Sequence, residues 1–271
     1  MKQDTITVIL KGMWVGGTMT VPGVSGGSMA MIAGIYASLI RAVGTFFTDP
    51  VRHGIFLGKF LLGAAAGIVL FSKLITYLLA SAVSVPLRFF FLGAVAGGIP
   101  MICKRAGINR LRFDLLAWPM AGILAVELLA LLPQGLIAPG AAKGLGGLML
   151  QTAGGFLIAV GLVLPGISVS QMLYMLGIYE TVIENVSAFH FLPLIPLGIG
   201  VVGGSFLTAG LLERWMSRQP GPAYLLILGF MLGSLPELFP GIPTGRELIF
   251  SLLAAVIGFF ALYLISEKQI Q

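Results

Sequence analysis

The sequence predicts an all-α polytopic membrane protein of two inverted-topology repeats, each a re-entrant broken-helix hairpin followed by three transmembrane helices. Three observations predict it. PGVSGGSMAMIAGIY at 22–36 recurs as PGISVSQMLYMLGIY at 165–179, residue i matching residue i + 143. Hydrophobic residues make up 58% of the chain and charged residues 10%, with a mean hydropathy of +1.03, whereas a soluble domain carries roughly 25% charged residues. The basic residues gather at the ends of apolar runs, where they orient helices in a bilayer.

The elements follow in chain order. An interrupted segment covers residues 5–47, broken at Pro22–Ser28. Apolar runs then extend over Phe56–Ala80, Leu87–Ile102 and Leu115–Leu132, near the roughly 20 residues that a spanning helix needs. The second half repeats the order, with an interrupted segment over Leu145–Val186 and runs at 191–212, 222–239 and 247–265. A second matched pair, LGAVAGGIP (92–100) and LGFMLGSLP (228–236), lies at a separation of 136. The chain reads as one membrane domain, 1–271, with repeats 1–135 and 136–271.

Charge fixes the orientation. Arg41, Arg52 and Lys59 flank the first hairpin, Lys104, Arg105, Arg110 and Arg112 crowd one loop, and Arg214 and Arg218 lie in another. The intervening loops carry few basic residues. Placing the rich loops in the cytoplasm satisfies the positive-inside bias and puts both termini there. Three crossings separate the hairpins, so the first starts and ends inside and the second outside. No A-x-A-like cleavage site precedes the first run, and the first segment is read as retained. Cys103 is the single cysteine, and His53 and His190 are far apart, so neither a disulfide, a metal centre nor a His-based triad is signalled. The formal charge of +6 is spread over helix ends and does not indicate nucleic acid.

The breaks carry the chemistry. A Pro-Gly-x-Ser-Gly-Gly backbone does not continue a helix, and its unpaired amides are tolerated at membrane depth only where they line a polar cavity. Gly23, Ser25, Gly26, Gly27 and Ser28 in the first break, with the Thr20 hydroxyl just before it and Gly166, Ser168, Ser170 and Gln171 in the second, offer backbone N–H groups, hydroxyls and close approach. With the positive end of a helix dipole, that is an anion site, and phosphate suits it. Breaks in corresponding places of two halves point to a transporter's substrate site; close helix packing through small residues is the competing reading. Lys11 and Arg41 are candidates to neutralise the anion or to anchor helices. Lys73 and Glu127 are either functional or snorkelling. Tyr36 and Tyr179 read as packing or interfacial residues, and Glu180 and Glu184 as a solvated face.

PGVSGG followed by GIY, then PGIS followed by LGIYE, resembles a bacterial family of polyprenyl-phosphate transporters. The resemblance covers nearly the whole chain, including the glycine-spaced lead-in at Lys11–Gly16 and LFPGIP at 238–243. Family members often have Thr at the position of Ser28, an acidic residue shortly before the first Pro-Gly, and Gly at the position of Val169. The resemblance implies return of undecaprenyl phosphate across the bacterial cytoplasmic membrane, the phosphate held at the paired loops. It implies no enzyme activity, no cofactor, and membrane lipids rather than nucleic acid as partners. Coupling to a proton or sodium gradient, assembly as a homo-oligomer, and a small soluble anion as the transported species all stay open.

Overall fold

A computed structural model describes residues 4–267 except 22, 82, 108–112, 133–134, 136–143 and 189, and leaves out the side chains of 113–115, 144, 170, 186–187 and 266–267. The described residues form helices and connecting turns, with no strand among them. The first half runs α1 (Thr5–Thr18), α2 (Gly26–Ile32), α3 (Tyr36–Gly44), α4 (Pro50–Leu79), α5 (Ser84–Arg105) and α6 (Phe113–Ala130). The second runs α7 (Gly144–Val163), α8 (Val169–Leu176), α9 (Tyr179–Ser187), α10 (Ile195–Arg218), α11 (Pro220–Gly233), α12 (Leu235–Leu238) and α13 (Arg246–Glu267). Among the described residues, six helical segments are long and apolar enough to cross a bilayer: Pro50–Leu79, Ser84–Arg105, Leu145–Val163, Leu192–Arg218, Pro220–Leu238 and Arg246–Ile265. The protein is a multi-pass membrane protein.

Each broken segment has two turns, not one. Besides the Pro-Gly break, the chain turns again at the GIY triplet. Gly34 has φ 65° and Gly177 φ 73°, the left-handed region in which glycine carries no Cβ penalty. Gly34 N–H donates to Met31 O (2.9 Å) and Ile35 N–H to Ala30 O (3.0 Å). Gly177 N–H donates to Tyr174 O (2.9 Å) and Ile178 N–H to Leu173 O (3.0 Å). Both are Schellman endings, which satisfy the last carbonyls of α2 and α8. They let α3 leave α2 at a bend of 116°.

Helix pairing follows the glycines. α1 lies on α4, with Gly63 against the Ile9 carbonyl, Gly67 against that of Met13, and Gly17 against Phe71. These contacts advance in the same direction along both helices, so the pair is parallel and the chain has returned to its starting side in between. α7 lies on α10 in the same way, with Gly200 against the Thr152 carbonyl and Gly204 against Phe156. The remaining spans pair across the halves. α5 packs on α13 through Gly93 on Ala255 and Gly97 on Phe259, and α11 packs on α6 through Gly229 on Pro119 and Gly233 on Ile123. Small residues bring these backbones together where lipid supplies no hydrophobic drive between helices.

The two hairpins are not equally packed. α3 runs along α10, with Gly44 over Ala209 and Gly210. Phe46 and Phe47 meet Phe206 at 5.5 and 5.2 Å between ring centroids. An Arg41–Glu213 ion pair (3.8 Å) lies near the end of the same seam. No comparable packing joins α9 to α4 among the described residues.

Candidate functional site

The two Pro-Gly motifs meet. Ser25 and Ser168 precede α2 and α8 in the same extended conformation, with ψ 129° and 122°. Ser168 Oγ accepts from Gln171 N–H (3.4 Å), an ordinary helix cap. Ser25 Oγ instead accepts from Gly166 N–H in the other motif (3.1 Å). Gly27 faces Pro165 so closely that a Cβ would stand 2.9 Å from the Pro165 Cα. Buried Tyr36 donates its hydroxyl to Val163 O (2.7 Å), a third link between the halves. Tyr36→Phe leaves that buried carbonyl without its partner and should cost about 1–2 kcal/mol, read as a lowered thermal midpoint of the purified protein.

Where the motifs meet they wall a cavity of about 410 Å³ between α3, α4, α7 and α10. Of the residues singled out from the sequence, Ser25, Gly26, Gly27, Ser168 and Tyr36 line it. Ser25 and Ser168 each already use the side-chain oxygen to accept a backbone N–H. The hydroxyl proton of each is therefore the group left to offer, since a hydroxyl holds one donor beside its lone pairs. The helical bonds of α2 begin with Met29 N–H to Ser25 O (3.1 Å), so the amides of Gly26, Gly27 and Ser28 precede the first of them. Otherwise the wall is apolar: Leu39, Ile40, Val43, Phe60, Ile167 and Ala209 face the space. Its rim includes Met19, Leu61 and Leu162, apolar side chains that are exposed on the bundle.

Other residues singled out from the sequence lie elsewhere. Gly23 (φ 82°) and Gly166 (φ 83°) are turn residues pressed on the backbone of Glu237–Leu238 and of Phe230. They shape the loops without lining the cavity. Ser28 is buried, and its Oγ has no hydrogen-bond partner. The Thr20 hydroxyl turns back to Gly17 O (2.6 Å). Gln171 contributes its backbone N–H to the Ser168 cap. Lys11 is half-buried on α1 and does not line the cavity. Arg41 lines a separate basic cavity. Lys73 and Glu127 are exposed on α4 and α6. Pro22 and the Ser170 side chain lie outside the described residues. Sequence reasoning missed Ser205, which brings a third hydroxyl from α10. Its only signal was a serine inside the glycine-rich run IGVVGGSF.

Comparison with known proteins agrees over most of the chain. The model of a family described as undecaprenyl phosphate translocase-like matches residues 15–251. A polyprenyl-phosphate transporter of Staphylococcus aureus is 32% identical over 263 residues, which cover 93% of this chain and 92% of the relative. A polyprenyl-phosphate transporter of Vibrio cholerae is 27% identical over 249 residues, 87% of this chain and 78% of the relative. No solved structure matches. On the strength of the family match and these relatives, the chain belongs to the undecaprenyl phosphate translocase-like family.

Proposed function

We propose that this protein carries undecaprenyl phosphate between the leaflets of the bacterial cytoplasmic membrane, its phosphate bound where the two Pro-Gly-x-Ser motifs meet. The observation that carries the reading is the cavity itself. Hydroxyls of Ser25, Ser168 and Ser205 gather in an otherwise apolar space whose rim holds exposed Leu61 and Leu162. A polyprenyl phosphate needs such a place, with donors for a small anionic head and an apolar flank past which the tail stays in lipid. Hydroxyls and amides bind phosphate without burying a fixed charge, and a site of that kind also lets go. The apolar rim disfavours a small soluble anion, which would need a water-lined path. The names of the relatives point the same way.

The proposed mechanism is exchange between two inverted halves. The parallel pairing of α1 with α4 and of α7 with α10, and the crosswise pairing of α5 with α13 and α6 with α11, fit a two-fold relation in the membrane plane. α1, at 14 residues, is about 21 Å long. That is short of the roughly 30 Å hydrocarbon core, which suits a hairpin that dips and returns. Both termini then lie in the cytoplasm, on the side of Arg41, Arg52 and Lys59. In the other state α9 takes up on α4 the packing that α3 now has on α10, and the site changes leaflet.

Purified protein in liposomes should accelerate movement of labelled undecaprenyl phosphate between leaflets. Liposomes with folded protein that move it no faster than empty ones would remove the reading. Ser25→Ala removes a donor and strands the Gly166 N–H. It should slow transport about tenfold and cost about 1–3 kcal/mol of stability. Ser168→Ala should slow transport by a similar factor, with about 1 kcal/mol from the lost cap. Flipping rates alongside thermal midpoints separate the two. Normal rates in both variants would show that the loops only pack.

A further inference from the structure

A second cavity, of about 520 Å³, lies beyond the hydroxyl-lined one, near the start of α4. Arg41 from α3 and Arg52, His53 and Lys59 from α4 face it, with Asp49 the one carboxylate among the described residues of its wall. The two spaces are neighbours along both helices: Ile40 and Phe60 line the first, Arg41 and Phe56 the second. Four residues of α4 are about 6 Å of axial rise.

We infer that this vestibule is a phosphate-monoester site, formed by Arg41, Arg52 and Lys59, where the lipid head is taken up or released on that face of the membrane. The inference rests on the transport reading for its role, though not for its chemistry. Helix-end cations that merely anchor a protein point separately into the headgroup layer. These three, brought from two helices, line one space instead. Asp49 Oδ1 accepts from the Arg52 main-chain N–H (3.1 Å), whereas Arg41 already shares its charge with Glu213 at 3.8 Å, so Arg52 and Lys59 carry most of the charge offered to an anion. Lys59 Nζ donates to Thr5 Oγ1 (2.8 Å) and keeps two further protons to give. His53 lines the same space, with its Nδ1 buried and without a hydrogen-bond partner. The volume exceeds a phosphate and leaves room for waters at roughly 30 Å³ each, so the head is held wet. The division of labour is physical. At depth, donors without fixed charge permit passage; near the water interface, formal positive charge captures a dianion at lower desolvation cost.

The test uses the full-length protein in detergent and in liposomes. The probes are inorganic phosphate, farnesyl phosphate and phosphatidylglycerol. Farnesyl phosphate should bind the wild type, and the double variant Arg52→Gln/Lys59→Gln should weaken it about tenfold or more. Arg52→Lys/Lys59→Arg should stay within about threefold of wild type, since the charge is retained. Arg52→Gln alone leaves the Asp49 cap intact, because that bond uses the main-chain N–H, and should give a partial loss in a normally folded protein. Inorganic phosphate read by phosphorus line broadening should show the same ordering, because it has no tail to hold it in the apolar cavity. If only farnesyl phosphate responds, the site belongs to the lipid alone. Equal competition by phosphatidylglycerol would overturn the inference in favour of a general anchor for anionic lipid. So would unchanged phosphate and farnesyl phosphate binding in the double variant while the wild type still flips undecaprenyl phosphate. Should the wild type fail to flip, the transport reading falls, and the binding measurements still decide the vestibule.

Discussion

Gly166→Ala should leave little folded protein, although it adds a single methyl group. Gly166 sits at φ 83°, where an L-residue pays roughly 1–2 kcal/mol. The larger penalty is steric. A Cβ there falls on the carbonyl of Phe230, with Met231 N at 2.9 Å. These are backbone atoms of α11, and the Phe230 and Met231 side chains are buried. No rotamer change relieves the overlap; α11 or the loop must shift as a body. The shift would also pull the Gly166 N–H from Ser25 Oγ, removing about 1 kcal/mol more. Together these reach about 4 kcal/mol or more, the range in which single substitutions become severe, against a total of roughly 5–15 kcal/mol for a typical domain. The matched control is Gly23→Ala. Its φ of 82° imposes the same conformational cost, but its nearest atoms, Glu237 O and Leu238 Cα, stand at 3.0 Å. It should therefore keep a folded fraction with a lowered midpoint. Yield of monodisperse protein and thermal unfolding in detergent distinguish the pair. A Gly166→Ala protein as stable as Gly23→Ala would mean that the second loop is not pressed on α11.

The comparison of Gly23 with Gly166 shows what the sequence could and could not convey. Duplicated Pro-Gly-x-Ser motifs in apolar surroundings were legible because helix-breaking residues interrupt a hydropathy pattern. The apolar runs were legible because bilayer thickness sets their length; α4 starts at Pro50, ahead of the expected Phe56, since Asp49 caps a proline-led first turn in the aqueous region. The second turn at GIY was hidden in plain composition. Gly34 and Gly177 look like any small residue in a membrane helix, and their signal was the apolar residue that follows each, the partner a Schellman ending uses. Helix partners were not legible. Gly12, Gly63, Gly93, Gly200 and Gly229 all present the same small-residue signature, and only the assembled bundle assigns α1 to α4 but α5 to α13. The difference between the serines was out of reach as well. Ser25 and Ser168 are equivalent in sequence, yet Ser168 caps its own helix while Ser25 reaches across to Gly166.

Gly26→Leu should produce the opposite phenotype to Gly166→Ala: a folded protein that does not transport. Gly26 opens α2 in an ordinary helical conformation, and leucine is a better helix former than glycine by up to about 1 kcal/mol. A Cβ at this position meets the Met19 side chain, with Sδ at 2.6 Å and the neighbouring carbons at 2.9 and 3.1 Å. Met19 is exposed at the cavity rim, and its unbranched thioether has room to rotate away. The leucine then projects beside Ser25 into the space where a phosphate would meet the Gly26 and Gly27 amides. It excludes the head sterically and replaces donors with hydrocarbon, so transport should fall about a hundredfold, equivalent to about 2.7 kcal/mol. Stability should stay within about 1 kcal/mol of the wild type. Gly27→Leu, one residue on, separates the causes. Its Cβ meets the Pro165 backbone at 2.9 Å, so it wedges the two motifs apart and should lose stability together with activity. If Gly26→Leu flips undecaprenyl phosphate at the wild-type rate in liposomes, the head group does not pass between the paired loops, and the hydroxyls gathered there serve packing alone.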